Sequence, residues 1–83
     1  MMLPAIPPRM RDDRPVKRSL TLRGHRTSVS LEAAFWDEFR RLAAARGQSV
    51  NALAGELDAG RTPPASLASA IRLFVLREIK SGR

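Results

Sequence analysis

The sequence predicts a mainly α-helical fold in which one short β-strand leads into three helices, with that strand completed by the same strand of a second copy. Three observations carry this. His25 to Leu31 alternates polar and apolar residues, Glu32 to Arg46 carries an apolar stripe at helical spacing, and Gly47-Gln48-Ser49 separates that helix from another. A lone strand cannot satisfy its own N–H and C=O groups, and no good second strand follows it, so the simplest partner is another chain.

Element by element, residues 1–16 form an arm in which Pro4, Pro7, Pro8 and Pro15 oppose regular pairing. The folded domain is expected over residues 17–80. Its strand spans about residues 25–31, with Lys17 to Arg23 as an extension. Leu20 and Leu22 place apolar groups on even numbers and Val29 and Leu31 on odd ones. One strand keeps a face at every second residue, so this switch implies a bulge or break near Gly24.

The first helix is expected at about 32–46, with Phe35, Phe39, Leu42 and Ala43 on one stripe, Trp36 on its flank, and Asp37 four residues from Arg41. Gly47 suits the left-handed position that ends a helix, and Ser49 suits the N-cap of a second helix at about 49–58 presenting Val50, Leu53, Ala54 and Leu57. The stretch from Asp58 to Ala65 breaks the pattern. Ser66 then caps a third helix, about 66–80, which is apolar on most sides through Leu67, Ala70, Ile71, Leu73, Phe74, Val75, Leu76 and Ile79. Such a helix must be buried against its own chain and a partner. The aromatic residues all fall on helical stripes and are read as packing groups rather than base-stacking groups.

With 83 residues and an irregular arm, only about 60 residues remain for a core, near the lower limit for independent folding; dimerisation repairs the shortage. Absence of cysteine removes disulfides and thiolate metal sites, and His25 alone builds no zinc site, so neither metal nor cofactor is expected. No Ser-His-carboxylate set, phosphate-binding glycine loop or carboxylate pair emerges, which argues against an enzyme. No apolar run reaches the roughly 20 residues that span a bilayer, and the first residues lack a secretory pattern, so a cytoplasmic, nucleoid-associated protein is expected.

Charge indicates the partner. Fifteen Lys and Arg face eight Asp and Glu, a net +7. Residues 1–26 hold seven of the cations and two of the acids, so +5 lies in the arm and strand and only +2 elsewhere. A polyanion should lie there, and the prolines oppose the amphipathic helix that a lipid surface would need, which leaves nucleic acid.

The run Arg26-Thr27-Ser28-Val29-Ser30-Leu31-Glu32, the spacing Phe35, Phe39, Leu42 and the turn Arg46-Gly47-Gln48-Ser49-Val50-Asn51 together resemble the ribbon-helix-helix family of bacterial DNA-binding proteins, which includes the Arc and methionine repressors. The likeness covers about residues 25–58, with a looser match between the third helix and a domain-completing C-terminal helix. It implies an intertwined homodimer whose antiparallel ribbon enters the DNA major groove. Thr27, Val29 and Leu31 then point inward, while Arg26, Ser28 and Ser30 contact bases. Ser49, Val50 and Asn51 at the start of the second helix, with Lys17, Arg18 and Arg23, contact phosphates. The implied dimer core comprises Val29, Leu31, Phe35, Phe39, Leu42, Leu53, Leu57, Ile71 and Phe74.

The functional expectation is a homodimeric bacterial transcriptional regulator that binds double-stranded DNA with some sequence preference. The alternative is a protein–protein interaction module, antitoxin-like or adaptor, on the same dimer scaffold and using the third helix. The short stretch after Ile79 argues against the appended tail that antitoxins often carry.

Overall fold

A computed structural model describes residues 14–82. Most of the expected arm, residues 1–13, lies outside these. The order is strand β1 (Val16–Leu22), strand β2 (His25–Leu31), then helices α1 (Ala33–Ala45), α2 (Val50–Gly60) and α3 (Leu67–Ser81). A ribbon, two helices and an extra C-terminal helix are therefore present. The source of the ribbon differs from expectation: β2 pairs antiparallel with β1 of its own chain, from Val16 opposite Leu31 to Leu22 opposite His25.

Arg23 and Gly24 form the two-residue connection, with φ of 53° and 85°. Two successive positive φ values belong to the type I′ turn, whose twist matches that of the flanking strands. The parity switch between Leu20 and Val29 is the footprint of this turn rather than of a bulge. With two loop residues, every opposed pair joins an even-numbered residue of one strand to an odd-numbered residue of the other, and opposed residues share a face. Leu20, Leu22, Val29 and Leu31 thus lie on one side, and all four are buried.

Beneath that side lie the helices, with α2 against β1, α3 against β2, and α1 against both other helices. Phe39, Leu42, Ala43, Leu53, Ala54, Ile71 and Val75 complete one core, and Phe35, Trp36, Val50, Leu57, Leu67 and Phe74 pack half-buried around it. The residues assigned to a dimer core therefore build the core of a single chain. Phe74 meets Phe39 edge-on at 6.1 Å between ring centres, the geometry that aromatic quadrupoles favour. Full burial of Phe39, Leu31, Leu53, Ile71 and Val75 contributes about 1.5–3 kcal/mol each.

Local signals stop and start the helices where the sequence places them. Gly47 (φ 70°) donates to the Ala44 carbonyl and Gln48 to that of Ala43, at 3.0 and 2.9 Å, which closes α1 in a Schellman motif. Ser49 Oγ accepts the Ala52 N–H and Ser66 Oγ accepts the Ser69 N–H, both at 3.0 Å. Each cap is worth about 1 kcal/mol.

Between α2 and α3, Arg61 holds the linker by donating to Asp58 and to the Ala65 carbonyl, both at 2.8 Å. Arg41 pairs with Glu38, not with Asp37 as its spacing suggested. The longer glutamate side chain one turn back reaches the guanidinium where the aspartate does not. Glu32, the residue before α1, receives two hydrogen bonds from Arg72 at 2.9 Å, tying the end of β2 to α3.

Candidate nucleic-acid interface

The side of the hairpin away from the helices carries Lys17, Ser19 and Thr21 from β1 and Arg26, Ser28 and Ser30 from β2, all six exposed. They form three opposed pairs: Lys17 with Ser30, Ser19 with Ser28, and Thr21 with Arg26. The face thus offers four hydroxyls and two cations. Residues 14–31 hold five Lys and Arg and no Asp or Glu, and the carboxylates of Glu56 and Asp58 on α2 approach only the turn end of the ribbon, where they line cavities with Arg23.

Beside this face begins α2. Asn51 Oδ1 accepts the Thr21 N–H at 3.1 Å, which holds the first turn of α2 against the outer edge of β1. The N–H groups in the first turn of a helix lack intrahelical acceptors, and the dipole makes that end positive. Ser49 Oγ takes the Ala52 N–H, the side chain of Val50 packs against the core, and the backbone of Val50 and Asn51 stays at the helix start. An anion next to β1 would meet that end.

The other expected residues divide. Arg23 is exposed in the turn. Arg18 lies on the opposite face from Lys17: its guanidinium sits over the Trp36 ring, 5.3 Å from the centroid, and its Nε is shielded without a hydrogen-bond partner. An even position on β1 points towards the helices, so Arg18 is a packing cation and not part of the outer set. Thr27 does share the inner face, opposite Leu20, but it is exposed on a cavity of about 320 Å³ lined also by His25, Asp58 and Arg61. The core ends at Val29 on that strand.

Sequence reasoning missed Ser19 and Thr21 as members of the outer face. Their alternation with Leu20 and Leu22 carried the signal, which treating residues 17–23 as an extension of one strand hid. Among the described residues no helix is long and apolar enough to cross a membrane, and no group of three metal-binding side chains occurs.

The ribbon-helix-helix domain family matches residues 15–79, from the start of β1 to near the end of α3. The chain belongs to this family. Its model match includes β1 and the linker before α3, which the resemblance read from the sequence did not cover. A solved structure, that of an uncharacterized protein from Bordetella pertussis Tohama I, is similar with a TM-score of 0.67 and 31% identity. The match covers 86% of this chain and 60% of that one, so this ribbon-helix-helix chain spans under two thirds of its relative's length. Comparison with curated proteins gives no match. The family is generally one of DNA-binding, regulator-type domains.

Proposed function

We propose that this ribbon-helix-helix protein binds double-stranded DNA by laying the outer face of its hairpin in the major groove, as a homodimeric bacterial transcriptional regulator acting at the nucleoid. The observation that carries this is the outer face itself: six outward residues, two cationic and four hydroxylic, on a two-stranded ribbon. Paired strands lie about 4.8 Å apart, and a groove about 12 Å wide admits such a ribbon.

Arg26 can donate two bonds to guanine O6 and N7, whereas Ser28 and Ser30 can donate or accept and discriminate less. The backbone at Ser49, Val50 and Asn51 takes a phosphate at the start of α2, and Arg23 adds a backbone contact. For the dimer, α3 leaves Leu73, Leu76 and Ile79 about half exposed, at 47%, 50% and 50%. A second copy of that stripe would cover them.

Fluorescence anisotropy with a labelled duplex across salt tests the reading. About three phosphates neutralised per subunit give a log–log salt slope of roughly −5 for a dimer. Absence of binding at low salt would end it. The same α3 stripe favours a second reading, an interaction module whose α3 takes a different protein. Both readings keep the dimer of the 9.2 kDa chain, and copurification from native lysate followed by mass spectrometry separates them: a stoichiometric non-self protein supports the module, and the chain by itself supports the regulator.

A further inference from the structure

We infer that β1 grips the sugar-phosphate backbone rather than the bases: Lys17, Ser19 and Thr21 meet the phosphates along one wall of the groove, in line with the start of α2. Base reading is left to Arg26, Ser28 and Ser30 of β2. The inference rests on the DNA-binding reading above and gives the outward residues of β1, to which that reading assigns no contact, a role of their own.

The position of α2 is the first ground. Thr21 stands opposite Arg26, and its N–H points away from β2, because it donates to Asn51 Oδ1 at 3.1 Å. The start of α2, with N–H groups that lack intrahelical acceptors and the positive end of the dipole, therefore lies beyond β1 and not beyond β2. A phosphate held there has β1 as its nearest strand. From Thr21 the outward side chains run through Ser19 to Lys17, four residues along the strand or about 13 Å at roughly 3.3 Å per residue. All three are exposed and all three carry donors.

Chemistry divides the two strands in the same way. The Lys17 ammonium is a compact point charge, and serine and threonine hydroxyls are ordinary partners of phosphate oxygens; neither needs the fixed donor pattern that a base edge demands. Arg26 on β2 has the planar fork that matches two atoms of guanine. Carboxylates fix where the phosphate path ends. Glu56, in the second turn of α2, lines a cavity of about 260 Å³ with Thr21, Arg23 and Asn51 and accepts a hydrogen bond from the Gln48 side chain. Asp58 lines the neighbouring cavity under the turn with Arg23 and His25. An anion is thus favoured from Thr21 towards Lys17 and disfavoured past the turn.

Width is the third ground, and it holds for a dimer. When the β2 strands of two copies pair edge to edge, the sheet runs β1, β2, β2, β1, with the inner strands about 4.8 Å apart and the outer ones about 14 Å apart. A groove about 12 Å wide takes the inner pair and leaves one β1 against each wall. A hairpin that enters the groove without such a partner divides identically, since α2 still marks the β1 side.

Fluorescence anisotropy across salt, together with selection of bound duplexes from a random pool, tests this on the full-length protein and on Lys17→Gln, Ser19→Ala and Arg26→Ala. All three side chains are exposed, and matching far-UV circular dichroism of the variants controls for folding. Lys17→Gln should make the log–log salt slope shallower by about 1 per chain and keep the parental motif. Ser19→Ala should weaken every duplex alike, by roughly tenfold, and Arg26→Ala alone should relax the motif. Lost preference at a base position in Lys17→Gln or Ser19→Ala would put β1 over the bases and overturn the inference. Parental affinity and slope in both would take β1 off the duplex and overturn it too, as would a parent that binds without any motif. In each of these outcomes DNA binding stands. Failure of the parent to bind any duplex at low salt would overturn the DNA-binding reading itself.

Discussion

Asn51 Oδ1 and the Thr21 N–H, 3.1 Å apart, join the first turn of α2 to the outer edge of β1 across thirty residues of sequence. One side chain thereby sets where a positive helix end lies relative to the ribbon. Asn51→Ala removes the acceptor and should lower stability by about 0.5–1.5 kcal/mol in urea unfolding. Asn51→Asp keeps an acceptor and should stay within about 0.5 kcal/mol of the parent. Its carboxylate, however, sits where phosphate is proposed to bind, so duplex affinity should fall roughly tenfold, the effect of about 1.4 kcal/mol. Parental affinity in Asn51→Asp would remove the helix start from the interface.

The turn should respond to backbone chemistry alone. A Cβ at Gly24 would meet no atom within 4 Å, yet its φ is +85°. Gly24→Ala should therefore cost about 1–2 kcal/mol through the left-handed conformation rather than through a clash. Arg23, at φ 53°, bears the same kind of strain. Arg23→Asn, a residue that tolerates this region, should be neutral or stabilising in the same urea titration, and a large loss would argue against the type I′ turn.

Helix α3 presents two faces with different expected behaviour. Ile71 is fully buried in the core formed with the hairpin, so Ile71→Ala should cost about 2–5 kcal/mol. Leu76 is half exposed on the outward side. Leu76→Asp should keep the circular dichroism of the parent but shift the light-scattering mass from dimer to monomer. An unchanged dimer would place the contact between copies elsewhere.

Acid should weaken the fold in part through Glu32 and Glu38. The Glu32 carboxyl titrates below its ordinary value of 4.5, first because it accepts a hydrogen bond from its own backbone N–H and then through the hydrogen bonds and charge of Arg72, against the opposing effect of desolvation by the groups around it. Glu38 is lowered by its hydrogen bond and ion pair with Arg41. Each carboxylate binds a proton less readily folded than unfolded. Its stabilisation is therefore complete above the unfolded value and is lost as pH falls through the folded one. Melting temperature should hold near neutrality and decline below about pH 4.5. Glu32→Gln should make that decline shallower, and an identical acid limb would exclude the Glu32–Arg72 pair as a contributor.

Much of this fold was legible because helical periodicity and capping residues are local signals. Phe35, Phe39 and Leu42 on one stripe, Gly47 at the end of α1, and Ser49 and Ser66 at the starts of α2 and α3 each act within a few residues of chain. Pairing of β2 was not legible in the same way. The favoured two-residue hairpin turns announce themselves with Asn-Gly or Asp-Gly, and here the first turn position is Arg23, so the even-to-odd switch from Leu22 to Val29 read as a flaw in one strand. Once β1 is a strand, the outer face of β2 keeps Arg26, Ser28 and Ser30 and gains Lys17, Ser19 and Thr21, while Arg18 turns inward. Arg18 and Lys17 are adjacent and equally basic, and only the pleat separates their roles.

The inward turn of Arg18 also equips the molecule with an optical gauge. Its guanidinium rests on Trp36, the one indole in the chain, and Trp36 in turn lies 6.3 Å from Phe39 at the centre of the helices. Any lifting of β1 off α1 strips that cover from the ring and admits water. Emission from this single fluorophore therefore reports how firmly the hairpin is seated, without a label, whether the load is denaturant, acid or a bound duplex.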